Sequence, residues 1–469
     1  SFTPDTNTLL GEVPEVKNFF VCCGLNSIGI ASAGGVGKVT AEWMMNGHIN
    51  EDIFSYDIKR FQKFHSEIKF IKERVTETLG DLYGMHWPFK QHQTARNIKI
   101  FPHHEILKKN GACFGVSGGY ERPMWFSMDN QEPKYNYSYR YQNWYPSVEF
   151  ETKNCRKNVG LFDLTPFSKF ELKGEKAFEE LQRICTANIK NEPGKCVYTQ
   201  MLNNDGGIEA DVTIVCLERN YFRIISSAAT RERDKFHINK NLTTNIELTD
   251  VTDKYCVFGL FGPKSRELIS SISKEDFSNK NFKFATGKKI KINNVETWVQ
   301  RLSYVGELGY EIYVEFDKAV EIYSLLINEG KKYNISNCGM HSLDIMRMEN
   351  GFLHWGHDIS PEENQYQAGL EFAISFKKNV DFIGKDSLLK IKDNKINKRL
   401  MMFRLKDTKP GEPLLLHDEP IYLDKKIIGR TTSGNYSFNF NTNMAFGYVN
   451  SGNTLSLIHI SEPTRQFRI

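Results

Sequence analysis

The chain has 469 residues, 40% of them hydrophobic and 13% aromatic, a composition that excludes a disordered protein and, at this length, allows two to four domains. Lys and Arg number 61 against 57 Asp and Glu, without blocks of like charge, so neither nucleic acid nor an anionic membrane is indicated as a partner. Nine scattered cysteines contain no CxxC pair, which argues against a zinc site or a disulfide framework and for reduced, buried thiols.

The chain opens on Ser-Phe-Thr-Pro-Asp without a Met and reads as starting inside a longer protein. Asn18 to Gly37 is uncharged and approaches the ~20 residues of a bilayer span, but its glycines, asparagine and serines favour another reading. A strand over 18–23 is expected, then a Gly/Asn/Ser turn and a helix stopping at Gly47. Gly34-Gly35-Val36-Gly37-Lys38 comes close to a phosphate loop. It fails because Ser32 stands where the first glycine belongs and Val39 where a hydroxyl should bind magnesium. What remains is a glycine-rich turn feeding a helix N-terminus, with close helix–strand packing as the alternative use of those glycines.

Glu67–Leu79 is expected to be helical. It is followed by an aromatic stretch, 83–89, in which His86 either faces a substrate or is packed, the commoner fate of a lone histidine. Residues 127–150, rich in Tyr, Asn and Gln, read as a linker. A long α+β segment comes next. Strands are expected at 161–164, 169–172, 197–202, 211–217, 221–226, 297–304 and 311–314, and helices at 177–185 and 319–329. Asn203–Gly207 is the turn of a hairpin. From Lys398 short strands at 401–405, 419–423, 426–428 and 445–449 suggest a small β-barrel or sandwich.

Three motifs point to a family. Gly206-Gly207-Ile208-Glu209-Ala210-Asp211 resembles the GGI-x-x-D hairpin of glycine-cleavage aminomethyltransferases and of the folate domain in dimethylglycine and sarcosine dehydrogenases. Ser303–Glu311 (SYVGELGYE) and Ser342–Gly351 with Trp355–Ile359 resemble two further segments of that domain. Ser1–Phe61 is similar to the end of the dehydrogenases' flavin domain, and Met444–Tyr448 to their C-terminal barrel. The resemblance implies an α+β fold in five parts: a remnant of an FAD-dependent oxidoreductase domain (1–62), a middle segment (63–126), an aminomethyltransferase-like folate domain with a central cavity (127–393), an incomplete β-barrel (394–454), and a tail. That tail, Leu455–Ile469, contains LSLIHISEPTR, which resembles a translated sequencing adapter and is expected to be non-native.

The same resemblance implies the chemistry. Flavin takes a hydride from an N-methyl amine, and tetrahydrofolate captures the one-carbon unit as 5,10-methylenetetrahydrofolate. Asp211 matches the catalytic carboxylate, Glu311 the residue that binds the pterin's 2-amino and N3–H edge, and Tyr304 an aromatic packed on folate. A carboxylate suits both tasks, accepting a proton from an attacking amine or two hydrogen bonds from adjacent donors. Judged alone, Asp211 could equally cap the hairpin turn and Tyr304 belong to the core. Gly24, Leu25, Asn26, Ser27 and Gly29 resemble the loop whose N–H groups face the FAD ring, while the rest of that site would lie before Ser1. FAD and tetrahydrofolate are thus the expected cofactors, no metal is expected, and the electron acceptor is left unnamed. The family implies the bacterial cytoplasm or the mitochondrial matrix.

Two alternatives stay open. The 83–125 segment resembles the regulatory subunit of pyruvate dehydrogenase phosphatase as well as it does the dehydrogenases. A stand-alone aminomethyltransferase is disfavoured by the flavin-domain segment and by Leu343, which stands where those enzymes carry an arginine.

Overall fold

The computed structural model describes residues 2–128, 131–394 and 396–450; the expected non-native tail, Leu455–Ile469, lies outside them. The N-terminal part pairs β1 (Leu9–Glu12) with β2 (Phe20–Cys23) in a two-stranded antiparallel ribbon and continues into α1 (Gly29–Asn46) and α2 (Ile68–Asp81). α1 stops where Gly47 adopts the left-handed conformation (φ 76°), as the sequence suggests.

Three local expectations fail in this part. Gly34, Gly35 and Gly37 lie inside α1 rather than in a turn, and a Cβ at any of them would meet nothing within 4 Å, so they serve no close packing among the described residues. Cys22 and Cys23 are exposed, unlike the other seven free cysteines. His86 is exposed too, its carbonyl accepting from the Tyr139 hydroxyl at 2.8 Å.

The central part runs through α3 (His104–Lys109), β3 (Ala112–Ser117), β4 (Tyr120–Phe126), α4 (Tyr145–Lys157), β5 (Val159–Asp163), β6 (Ser168–Lys173), α5 (Ala177–Ile184), β7 (Cys196–Leu202), β8 (Ile208–Glu218) and β9 (Tyr221–Ser226). It continues with α6 (Arg231–Asn241), β10 (Leu248–Asp250), β11 (Tyr255–Phe261), α7 (Ser265–Ser271), β12 (Gly287–Ile292), β13 (Val295–Gln300), β14 (Gly309–Glu315), α8 (Ala319–Gly330), β15 (Ile335–Cys338), α9 (Met340–Glu349), α10 (Gln365–Ala368) and α11 (Lys385–Asp393). The strands form two sheets, one ordered β10-β6-β9-β8-β7 and the other β12-β13-β14-β11-β5-β15. All neighbours are antiparallel except β5 and β15.

Each sheet buries its outer face under helices. In the first, Ala210, Val212, Ile214 and Cys216 of β8 pack with Leu181 and Ile184 of α5. In the second, Tyr310, Ile312 and Val314 of β14 pack with Ile322 and Leu326 of α8. A third cluster lies between the sheets and draws Cys196 and Val215 from one, and Phe162, Trp298 and Tyr313 from the other. The packing crosses the expected boundary at residue 127, since Phe101, Ala112, Tyr120 and Phe126 share a core with the second sheet.

Two more expectations are corrected here. The segment read as a linker turns helical at Tyr145: Pro146 sits in the first turn of α4, where its missing N–H costs nothing, and Trp144 and Val148 are buried. The strand expected over 297–304 ends at Gln300, leaving 301–308 as a loop. In that loop Gly306 has φ 72°, and a Cβ there would collide with the Asn350 side chain, which explains the glycine in the SYVGELG motif.

The C-terminal part forms a four-stranded antiparallel sheet, β16 (Lys398–Arg404), β19 (Thr442–Asn450), β18 (Lys426–Ser437) and β17 (Pro420–Leu423), in that order. β18 runs well past the 426–428 expected. Its polar residues Thr432 and Ser433 hid it from a hydrophobic pattern; they are buried, and both donate to Asp358 at 2.7 Å.

Candidate active site

Strand alternation decides where the two carboxylates face. On β8 the even-numbered residues fill the outer core and Val215 packs between the sheets, so Asp211, on the same phase as Val215, points at the second sheet. On β14 Tyr310, Ile312 and Val314 go outward and Tyr313 inward, so Glu311 points back at the first. Both carboxylates therefore face the same inter-sheet space.

Asp211 sits directly across from Gln200 of β7, and Gln200 Nε2 donates to its Oδ1 at 2.7 Å. The amide of Gln200 is oriented in turn by Gln365, whose Nε2 donates to Gln200 Oε1 at 2.5 Å and to Thr186 Oγ1 at 3.0 Å. Tyr198, two residues before Gln200 on the same phase of β7, lies within electrostatic reach of Asp211. Burial raises the Asp211 carboxyl to about 6, against the pull of Gln200 and Tyr198 and with a further push from Asp234. That places it close to the range where a carboxylate can exchange a proton near neutrality.

Glu311 repeats the arrangement on the other sheet. Its cross-strand neighbour on β13 is Gln300, whose Nε2 donates to Glu311 Oε2 at 2.7 Å while Trp298 Nε1 donates to Gln300 Oε1 at 3.2 Å. The Tyr313 hydroxyl donates to the same Oε2 at 3.1 Å. Glu311 Oε1 has no hydrogen-bond partner among the described residues, which leaves an acceptor free for a ligand. Burial raises this carboxyl as well. Asp211, Glu311 and Tyr304 are desolvated by their surroundings, yet each keeps part of its surface accessible.

Tyr304 comes from the 301–308 loop. Its hydroxyl donates to the Leu353 carbonyl and its ring stacks on Phe352 at 5.8 Å. Burial raises its phenol, Arg347 pulls it back, and the charge of Asp211 raises it further, so the two residues lie within electrostatic reach. Glu311 acts in the same way on Cys196 of β7 in the opposite sheet, where burial is the larger cause of the raised thiol. Because Tyr304 is on no strand, no period relates it to Glu311.

Gly24, Leu25, Asn26, Ser27 and Gly29 form a separate group at the start of α1. The loop takes positive φ at Gly24, Asn26 and Ser27. Asn26 holds its shape, accepting from Thr3 N at 2.8 Å and donating to the Gly24 carbonyl at 2.6 Å. A different cavity, of about 170 Å³, lies between this N-terminal part and the GGI hairpin, lined among others by His48, Asp57, Glu209, Arg233 and Trp355.

Sequence reasoning missed Gln200, Gln300, Tyr198 and Gln365. Counting back from the turn pairs Gln200 with Ala210, but a bulge between Met201 and Leu202 shifts the register by one and brings it to Asp211. It also left Asp211 open to a turn-capping role. In the structure that role belongs to Asn203, whose Oδ1 accepts from Gly207 N at 2.9 Å and Asp205 N at 3.1 Å.

Comparison with known proteins agrees with this architecture. Residues 103–378 match the GCVT N-terminal domain, residues 398–463 the glycine cleavage T-protein C-terminal barrel domain, and residues 46–100 the FAD dependent oxidoreductase central domain. The chain is 40% identical over 437 residues to 4-methylaminobutanoate oxidase (formaldehyde-forming) of Paenarthrobacter nicotinovorans, covering 93% of this chain and 53% of that protein. It is 32% identical over 462 residues to the mouse mitochondrial pyruvate dehydrogenase phosphatase regulatory subunit (96% and 52%). Human mitochondrial sarcosine dehydrogenase is 29% identical over 500 residues (97% and 54%). The chain thus spans about half the length of these relatives. With the T-protein domain over more than half its residues and an oxidoreductase central domain ahead of it, the chain belongs to the glycine-cleavage T-protein family, in its dimethylglycine/sarcosine dehydrogenase branch.

Proposed function

We propose that this chain is the folate-side portion of a flavin-dependent N-methyl amine dehydrogenase or oxidase, and that it transfers the released one-carbon unit to tetrahydrofolate. The observation that carries the proposal is the pair of carboxylates on facing sheets, each held by an oriented glutamine and each turned towards the space between the sheets. A structural carboxylate would have its oxygens satisfied, whereas Glu311 keeps one free. The relatives named for N-methylated substrates support the same reading, and their N-methylamino carboxylates give the substrate class.

Within this reading Glu311 accepts the pterin's 2-amino and N3–H donors. Asp211 takes the proton that the folate nitrogen loses as it bonds to the electrophilic carbon, and returns it to the departing amine. Tyr304 shields these groups from water. The FAD-side residues offer one edge of a cofactor site: the first N–H groups of α1 are free of intrahelical partners and suit the electron-rich ring of a reduced flavin. When bound, FAD supplies the hydride acceptor.

The test is tetrahydrofolate binding to the purified chain, by calorimetry under anaerobic conditions. Saturable binding that Glu311→Gln weakens about tenfold or more supports the proposal. No binding by the intact fold would favour a protein that keeps this architecture for regulation, as the name of the phosphatase-subunit relative describes for that protein.

A further inference from the structure

The loop that carries Tyr304 lacks the support that the strands beside it have. Among the described residues, 302–307 make no backbone–backbone hydrogen bond, so neither a ladder nor a helix fixes their shape. A segment of this kind opens easily unless side chains hold it. Val305 buries its own side chain between the sheets. Its carbonyl is held by two side chains, Arg156 Nη1 donating at 2.9 Å and Asn350 Nδ2 at 3.1 Å.

Arg156, in the last turn of α4, holds the loop at a second point as well. The same Nη1 donates to Glu307 Oε1 at 2.8 Å, and Nη2 donates to Glu349 Oε2 at 2.7 Å. The fork of a guanidinium suits three such acceptors, which a single lysine nitrogen does not. Glu349 ends α9 and is buried. Ser437 Oγ of β18 donates to its Oε1 at 2.5 Å, and Asn439 Nδ2 lies 3.1 Å from Oε1 and 2.9 Å from Oε2. One arginine thus joins α4, the loop, α9 and the C-terminal sheet. Tyr304 directly precedes Val305 and packs against the same cluster between the sheets, its ring on Phe352 and its hydroxyl on the Leu353 carbonyl. A shift of the Val305 backbone therefore carries the Tyr304 ring with it.

We infer that Arg156 is a positioning residue for one-carbon transfer: it sets the loop that presents Tyr304, and through Glu349 it makes that setting depend on the C-terminal sheet. The inference rests on the folate reading of Asp211, Glu311 and Tyr304. Arg156 bonds the loop backbone and two other carboxylates, not those three side chains, so it acts through Val305 and Glu307.

The experiment reads Arg156→Met in the whole chain, first without ligand and then with tetrahydrofolate. Without ligand, cleavage after Glu307 by a glutamate-specific protease is expected to quicken about tenfold, with cleavage elsewhere unchanged, because only the loop opens more often. Tetrahydrofolate is expected to bind roughly five- to tenfold more weakly. In a Tyr304→Ala background the same substitution should weaken binding little further, since both changes act through one side chain. A residue that only stabilises the fold would show no such coupling. Should Arg156→Met fail to fold, Arg156→Met with Glu349→Gln leaves no carboxylate stranded and takes the same measurements. Unchanged cleavage after Glu307, unchanged tetrahydrofolate binding, or a loss that adds in full to that of Tyr304→Ala overturns the inference and leaves the folate reading standing. If the parent chain binds no tetrahydrofolate, the folate reading fails and takes the inference with it.

Discussion

An aspartate near the start of a hairpin strand has an ordinary use in capping the turn, and here Asn203 does that work instead. What Asp211 has is a glutamine aimed at it, a tyrosine beside it, and a pKa lifted to about 6 by burial. In the full-length protein Asp211→Asn is expected to reduce one-carbon capture by ~10²–10⁴-fold, as loss of a general base does. Amine oxidation should be spared and the product shifted towards free formaldehyde, which product partitioning at saturating tetrahydrofolate would measure; unchanged delivery to folate would remove Asp211 from the chemistry. The raised pKa also has a thermodynamic consequence. Between the unfolded value near 3.8 and the folded value near 6, the folded state holds a proton that the unfolded state has lost. Stability therefore falls as pH rises through that window and is flat above it. Asp211→Asn should abolish this slope and leave the variant about 1–2 kcal/mol more stable at pH 7.5, a figure discounted for the accessible edge of the carboxylate. Denaturation at pH 4 and pH 7.5 decides it: an equal stability change at both pH values contradicts the shift.

Among the elements, those with an unbroken period were legible and those with mixed chemistry were not. β9 matches its expected span to the residue, and α5 and α8 nearly so, because one apolar face fixes each. The apolar pattern of β18 breaks at its buried Thr and Ser, and that of α4 is masked by tyrosines and asparagines. The candidate site was legible as carboxylates, because motifs carry them, but not as carboxylate–glutamine pairs, because register across a bulge cannot be counted from one strand. α1 departs from expectation for a different reason: three glycines cost it helix propensity and resemble a turn. With open space beside Gly34 and Gly35, replacing each by Ala should stabilise α1 by about 0.5–1 kcal/mol per site in this chain. Amide hydrogen exchange across 29–46 is the appropriate readout, since local opening need not involve the whole fold. Faster exchange in the variants would mean that these positions meet a neighbour that the described residues do not include.

On the scale of the whole molecule, the N-terminal part is fastened to the hairpin that carries Asp211. His48 Nε2 and Asn50 Nδ2 lie 2.9 and 2.8 Å from Asp205 Oδ2 in the turn, and Lys240 reaches Glu12 at 3.1 Å. Arg233 is the centre of the fastening: it donates to the Glu209 carboxylate and carbonyl, lies 3.9 Å from Asp57, and covers the Trp355 ring at 4.4 Å. Arg233 and Glu209 are both buried, so the pair acts as a unit whose halves are worth little alone. Arg233→Met strands Glu209 without its cation, while Asp57 keeps Lys59 at 2.8 Å, and the expected cost is about 3–5 kcal/mol. Arg233→Met combined with Glu209→Leu removes both charges and should recover a large part of that loss, because the stranded carboxylate is gone. Chemical denaturation of the two single variants and the double variant closes the cycle, and limited proteolysis within 46–57 reports whether the N-terminal part has come loose. If the double variant loses the sum of the two single losses, the pair is not coupled, and the fastening must be carried by the contacts at Asp205 and Glu12 instead.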